Sequence, residues 1–196
     1  MKHNSLLLLI FFSLSCLIAC SPSTTQDQMS DSSEESSDED EEAEEDKSQR
    51  PSPPRSSGAN VSGVNVAIDY SSPAVKGRKI FGELEPYGKV WRTGANEATI
   101  FSVDDSVKVN GETLLKGQYA LFTIPTEGDW TVIFNKEPNQ WGAYNYDAAL
   151  DQLRLTITPE ASSELTERLS FNVTEGGLLE FAWESVKFSL SVEPAR

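Results

Sequence analysis

The stretch GQYALFTIPTEGDWTVIFN, residues 117–135, decides the fold class of this chain. Its first half, QYALFTIP, is apolar at consecutive positions, which is typical of a strand covered on both faces. WTVIFN pairs naturally with it, and the intervening TEGD supplies the polar and glycine residues of a turn. The stretch therefore predicts two adjacent antiparallel strands near the centre of a sheet.

Alternation of apolar and polar residues continues on both sides of this pair, and no long stretch has helical periodicity. Asn110-Gly111 predicts a hairpin turn, because both residues tolerate positive φ angles. Near the C-terminus, LEFAW and VKFSLSV predict two strands separated by a turn at Glu184-Ser185, with one long bulged strand as the alternative. Roughly eight to ten such strands predict an all-β fold, a single antiparallel β-sandwich over residues 58–196.

The first 19 residues have the organisation of a lipoprotein signal peptide. Lys2 is basic, and the apolar run that follows is too short for an ordinary spanning helix. The run ends in LIAC, which resembles the bacterial lipobox, a motif whose cysteine is acylated and becomes the mature N-terminus. The motif predicts a membrane anchor, palmitate included, on Cys20, and a location in the bacterial cell envelope. The outer membrane or periplasmic face and the cell surface both stay open, and the alternatives are a plain secretory signal or an uncleaved anchor.

Residues 20–57 form the predicted tether, which is rich in serine, then in acidic residues and then in proline. From residue 21 to residue 57 there are twelve acidic and three basic residues, a net of nine negative charges. Such a segment buries too little apolar surface to offset the entropy of ordering, so we expect it to be disordered. It is interpreted as a solvated spacer, with a cation-binding or export-sorting tail as the alternative.

Residues 58–196 contain no cysteine and no histidine. This absence excludes disulfides, cysteine nucleophiles, Ser-His-Asp triads and metal sites with histidine or cysteine ligands. Nucleic-acid binding is not expected of an acidic, exported domain. No catalytic residue, metal ligand or cofactor is therefore predicted.

Two long segments, residues 69–98 and 135–149, interrupt the strand pattern with glycine, proline, asparagine and aromatic residues. Long loops are where binding residues tend to lie, and the shared composition predicts that the two segments meet in space. The first contains Arg92 and Glu97, which are predicted either to pair as a buried brace (Asp69 being another partner for Arg92) or to face a binding pocket. The candidate binding residues are Arg78, Trp91, Arg92, Asn96, Glu97, Lys136, Gln140, Trp141 and Tyr144.

Four blocks of the sequence resemble a bacterial family of exported proteins, the domain of unknown function family 2911. They are YSSPAVKGRKIFG, PYGKVWRTGANEAT, GQYALFTIP and NQWGAYNY. The resemblance runs over most of residues 64–192 and implies an exported, bacterial, β-rich domain. It supplies no reaction, because the family has no assigned activity.

The sequence favours a membrane-anchored lipoprotein whose sandwich is a non-catalytic binding or envelope-interaction module. The ligand would be a small molecule, a glycan or a peptide, and the envelope protein partner is not specified. Aromatic side chains beside amides and a guanidinium suit such ligands. The alternatives are a carboxylate-dependent extracytoplasmic hydrolase and a purely structural envelope protein.

Overall fold

Two antiparallel sheets packed face to face form the described part of the chain. The computed structural model describes residues 46–195, so the predictions for the signal peptide, Cys20 and the tether up to residue 45 concern residues outside this range. Besides two single-turn 3-10 helices, Lys47–Gln49 and Ala148–Leu150, this range contains ten strands. The strands are β1 (Pro54–Val61), β2 (Val64–Ser71), β3 (Thr99–Val103), β4 (Val107–Val109), β5 (Glu112–Leu114), β6 (Gly117–Ile124), β7 (Trp130–Asn135), β8 (Asp151–Ile157), β9 (Glu160–Val173) and β10 (Leu178–Pro194).

The larger sheet has the strand order β1-β2-β3-β6-β7-β8, and the smaller has the order β5-β4-β10-β9. Neighbouring strands are antiparallel, which confirms the predicted β-sandwich. The hairpin at Asn110-Gly111 is also confirmed, since φ is 48° at Asn110 and 87° at Gly111 between β4 and β5.

Strand β6 is buried on both faces, as the sequence predicts, and so is its neighbour β7. Leu121 and Phe134 point into the core between the two sheets. Phe122 and Ile133 belong to a second apolar cluster on the outer face of the larger sheet, which Val90, Ala143 and other loop residues cover. The alternation of strand side chains explains why consecutive apolar residues serve two separate cores.

The predicted start of the sandwich at residue 58 is wrong, because β1 begins at Pro54. Strand β1 pairs with β2 along its whole length, from Pro54 opposite Ser71 to Val61 opposite Val64. Strand β1 (PRSSGANV) has few apolar side chains, so a search for apolar alternation does not find it. Backbone hydrogen bonds hold an edge strand to its neighbour even where few of its side chains are apolar.

The predicted turn at Glu184-Ser185 is also wrong, and the alternative of one long bulged strand is confirmed. Strand β10 continues through this point, with register shifts against β9 on both sides of Glu184. Glu184 adopts a φ of 55°, which accommodates the bulge without reversing the chain.

The turn between β9 and β10 provides a test of the fold. Gly177 has a φ of 77°, and a Cβ atom there would collide with the backbone carbonyl oxygen of Val192. Gly111 has a similar φ but open space around its missing Cβ. We expect Gly177→Ala to lower the free energy of unfolding by about 3 kcal/mol or more, and Gly111→Ala by only about 1 kcal/mol. Denaturant unfolding measures both, and equal losses would contradict the predicted collision.

Candidate functional site

The two long segments meet on the outer side of the larger sheet, as predicted from their composition. We call residues 88–98 the motif loop and residues 135–149 the aromatic loop. Glu97 and Trp141 form an isolated antiparallel bridge. The Ala98 N–H donates to the Gln140 carbonyl oxygen at 2.9 Å, and the Gly142 N–H donates to the Asn96 carbonyl oxygen at 3.0 Å. Backbone hydrogen bonds therefore fix this loop crossing.

The start of the motif loop is held by strand β6. Trp91 and Thr123 exchange both backbone hydrogen bonds, at 2.8 and 2.9 Å. The Trp91 indole is only 3% exposed and stacks on Trp183 of the opposite sheet, with ring centroids 5.6 Å apart. The prediction that Trp91 contacts a ligand is therefore corrected, because its side chain belongs to the core.

The motif loop has a compact internal structure. Thr93 and Asn96 both have positive φ angles, of 52° and 58°. The Thr99 hydroxyl donates to the Thr93 carbonyl oxygen at 3.0 Å, and the Trp91 indole N–H donates to Gly94 at 3.1 Å. The Asn96 amide donates to the Ser52 carbonyl oxygen at 3.1 Å. Asn96 thus ties the loop to the segment that precedes β1.

Glu97 is paired with two basic residues that the sequence analysis placed in the disordered tether. The Arg50 Nη1 lies 3.0 Å from each carboxylate oxygen, and the Lys47 Nζ lies 3.0 Å from one of them. Burial raises the pKa of Glu97, but hydrogen bonds from its own backbone, Lys47 and Arg50 outweigh that effect, so its pKa is lowered. The predicted Arg92–Glu97 brace is therefore wrong, because Arg50 and Lys47 occupy the carboxylate.

Arg92 is half-buried, and its Nε atom is buried without a hydrogen-bond partner within residues 46–195. A Cβ atom on Gly142 would lie 3.6 Å from the Arg92 Nη1, so the guanidinium lies against the aromatic loop. The charge of Arg92 acts on the carboxyl group of Glu85, and among residues 46–195 Arg92 forms no ion pair with Asp69. Arg92 consequently retains donor capacity at the loop crossing.

Burial raises the pKa of Glu85 to about 7, although the charges of Arg92 and Arg78 oppose this shift. Arg78 is otherwise engaged in its own segment: its guanidinium donates to the carbonyl oxygens of Val75 and Ala74, at 3.0 and 2.6 Å. Arg78 therefore supports the loop that carries Glu85 and does not reach the loop crossing through these bonds.

The aromatic loop presents two exposed rings. The side chain of Trp141 is 53% exposed and that of Tyr144 is 83% exposed. Gly142, with a φ of 65°, leaves room for Tyr144, because a Cβ there would lie 3.0 Å from its ring. Gln140 is buried, donates to the Glu137 carbonyl oxygen at 2.6 Å and leaves its own oxygen unpaired within the described range, whereas Lys136 is exposed.

A groove of about 570 Å³ adjoins Glu97 on the outer face of β1, β2 and β3. Its lining includes Arg55, Asp69 and Ile100. Arg55 was not among the predicted binding residues, because it lies in β1, a strand assigned to the tether from its sequence. Within residues 46–195, no cluster of three or more His, Cys, Asp or Glu side chains is placed to hold a metal ion, and no helix is long and apolar enough to cross a membrane.

The fold and the loop crossing define an all-β sandwich protein whose candidate site is carried on two surface loops. The family model described as "Protein of unknown function (DUF2911)" matches residues 52–192, and the chain belongs to this family. The match begins beside β1, in agreement with the corrected start of the sandwich. Neither the curated proteins nor the solved structures contain a match.

The raised pKa of Glu85 makes a prediction about stability. Because the folded-state pKa exceeds the unfolded value of 4.5, stability is greatest when Glu85 is protonated and is lost as the pH rises through about 7. We expect Glu85→Gln to raise the free energy of unfolding by about 1–2 kcal/mol at pH 8, with solvent screening included, and to have little effect below pH 4.5.

Denaturant unfolding of both proteins at the two pH values measures this difference. Glu83→Gln is the matched control, because the Glu83 side chain is exposed and, among residues 46–195, makes only a surface ion pair with Lys79. Its effect should stay within about 0.5 kcal/mol at either pH. A Glu85→Gln variant that is less stable than the wild type at pH 8 would contradict the prediction.

Proposed function

We propose that this protein is a bacterial lipoprotein whose β-sandwich is a non-catalytic binding module of the cell envelope. The observation that carries the binding proposal is the exposed pair Trp141 and Tyr144 beside Arg92, on loops held by backbone hydrogen bonds. Binding residues are commonly found on loops that a rigid scaffold positions. Exposed aromatic rings provide large contact areas that lose little conformational entropy when a ligand binds.

Arg92 narrows the class of ligand. Its planar guanidinium suits a carboxylate or a phosphate, and the half-buried side chain brings its Nη1 to the aromatic loop near Gly142. The rings of Trp141 and Tyr144 suit the flat or apolar face of a sugar, a peptide or another small molecule. We propose a ligand that combines an anionic group with such a face, an acidic glycan or an acidic peptide being examples.

A screen of thermal stability tests this proposal. The chain from residue 21 onward is heated with acidic and neutral glycans, acidic peptides and organic carboxylates and phosphates. We expect an anionic ligand to raise the melting temperature. Arg92→Gln, which loses a charge-assisted contact, and Tyr144→Ala, which loses a ring contact, should each weaken its binding at least about tenfold.

Lys89→Gln is the control for this screen, because Lys89 is an exposed cation of the same motif loop. Its ligand affinity should equal that of the wild type. The binding proposal fails if no ligand raises the melting temperature, an outcome that favours the structural envelope role. It also fails if Arg92→Gln binds the ligand as tightly as Lys89→Gln does.

A carboxylate-dependent hydrolase is the second candidate, and Glu85 favours it. A carboxyl group with a pKa of about 7 suits general acid–base catalysis at neutral pH. Glu97 is poorly suited to be its partner, since Arg50 and Lys47 bind that carboxylate. Hydrolysis of a screened ligand that Glu85→Gln abolishes would support the enzyme over the binding module.

The membrane anchor has its own test. We expect a palmitate analogue to label the wild-type protein in cells, and Cys20→Ser to lose both the label and the membrane association, because the lipobox-like LIAC ends at this residue. Cys16→Ser is the matched control, since Cys16 lies within the apolar run, and it should keep both. Label that persists in Cys20→Ser would refute acylation at this position.

A further inference from the structure

The chain immediately before β1 lies on the sandwich and forms part of its surface. We call residues 46–53 the strap. The Ser72 N–H donates to the Pro53 carbonyl oxygen at 2.9 Å, and the Asn96 amide donates to Ser52 at 3.1 Å. The strap therefore follows a fixed course over the motif loop.

Arg50 is the most deeply enclosed basic residue of the strap, with 14% of its side chain exposed against 56% for Lys47. Its Nη1 reaches both oxygens of Glu97 at 3.0 Å. Its guanidinium carbon lies 5.7 Å from the centroid of the Trp141 ring. A carboxylate and an indole face together recognise the charge and the flat surface of a guanidinium.

The residues that receive Arg50 are positioned without the strap. Glu97 and Trp141 bridge each other, and the flanking bonds of the loop crossing join the motif loop to the aromatic loop. Asn96 adds a contact to the peptide backbone, because its side-chain amide donates a hydrogen bond to the carbonyl oxygen of Ser52, two residues after Arg50. These contacts suit an extended peptide that carries an arginine, and no feature of them requires that the peptide belong to the same chain.

We propose that Glu97, Trp141 and Asn96 form an arginine-recognition site for extended peptides, and that Arg50 of the strap is its resident occupant. An arginine-bearing segment of an envelope partner binds by taking the place of the strap. Most of the predicted tether precedes the strap, so release of the strap does not require β1 to leave its sheet. The site shares Trp141 with the proposed ligand site of Arg92, whereas Glu97 and Asn96 belong to the arginine site alone, so Glu97→Gln tests this proposal separately from that one.

The test uses the full-length chain with Arg50→Ala, which vacates the site. The probe is a blocked synthetic peptide with the sequence of residues 46–53, and a second peptide carries lysine in place of the arginine. Calorimetric titration should give an affinity for Arg50→Ala at least about tenfold higher than for the wild type, whose own strap competes. The lysine peptide should bind at least about tenfold more weakly, because lysine lacks the planar fork.

Two variants in the Arg50→Ala background locate the site. Glu97→Gln and Trp141→Ala should each weaken peptide binding at least about tenfold, and Trp141 is exposed enough for its removal to leave the fold intact. Glu83→Gln, an exposed carboxylate elsewhere, should leave the affinity unchanged. The proposal is overturned if Arg50→Ala binds the peptide no better than the wild type, or if Trp141→Ala retains the full affinity.

Discussion

The pairing of Trp91 with Thr123 is the constraint on which the rest of the site depends. It extends the line of β3 beyond the strand itself, so the backbone at this point follows the pleat of the sheet. The indole of Trp91 is consequently directed inward, where it stacks on Trp183, and Arg92 is directed outward. The Trp91–Thr123 pairing sets the starting direction of the motif loop, and the stacking of Trp91 on Trp183 joins the two sheets.

The charged side chains at the loop crossing differ in how far they are paired. Glu97 receives basic partners from a distant part of the sequence, which lower its pKa and hold the strap in place. Arg92 lies beside Glu85, a carboxyl group whose pKa burial has raised, and its Nε is unpaired within the described residues. The loop crossing thus combines a satisfied ion pair with a guanidinium that retains donor capacity. This uneven arrangement supports the proposed recognition surface over a purely structural brace.

The sequence predicted those features that depend on local periodicity. The two-sided burial of β6 and the Asn110-Gly111 hairpin follow from residue patterns within a few positions. Strand β1 has no such pattern and is held in the sheet by backbone pairing with β2. Its place in the fold could therefore not be predicted from its own residues. The partner of Glu97 could not be predicted from the sequence either, because Arg50 is 47 residues away and only the tertiary fold brings the two side chains together. Composition located the two loops correctly, but it could not show which face of the sheet Trp91 occupied.

The course of the strap also governs how mechanical load enters the domain. A pull on the chain that precedes the sandwich would otherwise act directly on Pro54, at the end of the β1–β2 ladder, where pairs break one at a time. Because Arg50, Ser52 and Pro53 are held first, the load is shared with the motif loop before it reaches that ladder. A pull from the N-terminal side therefore loads the ion pairs of Glu97 before it reaches the β1–β2 ladder.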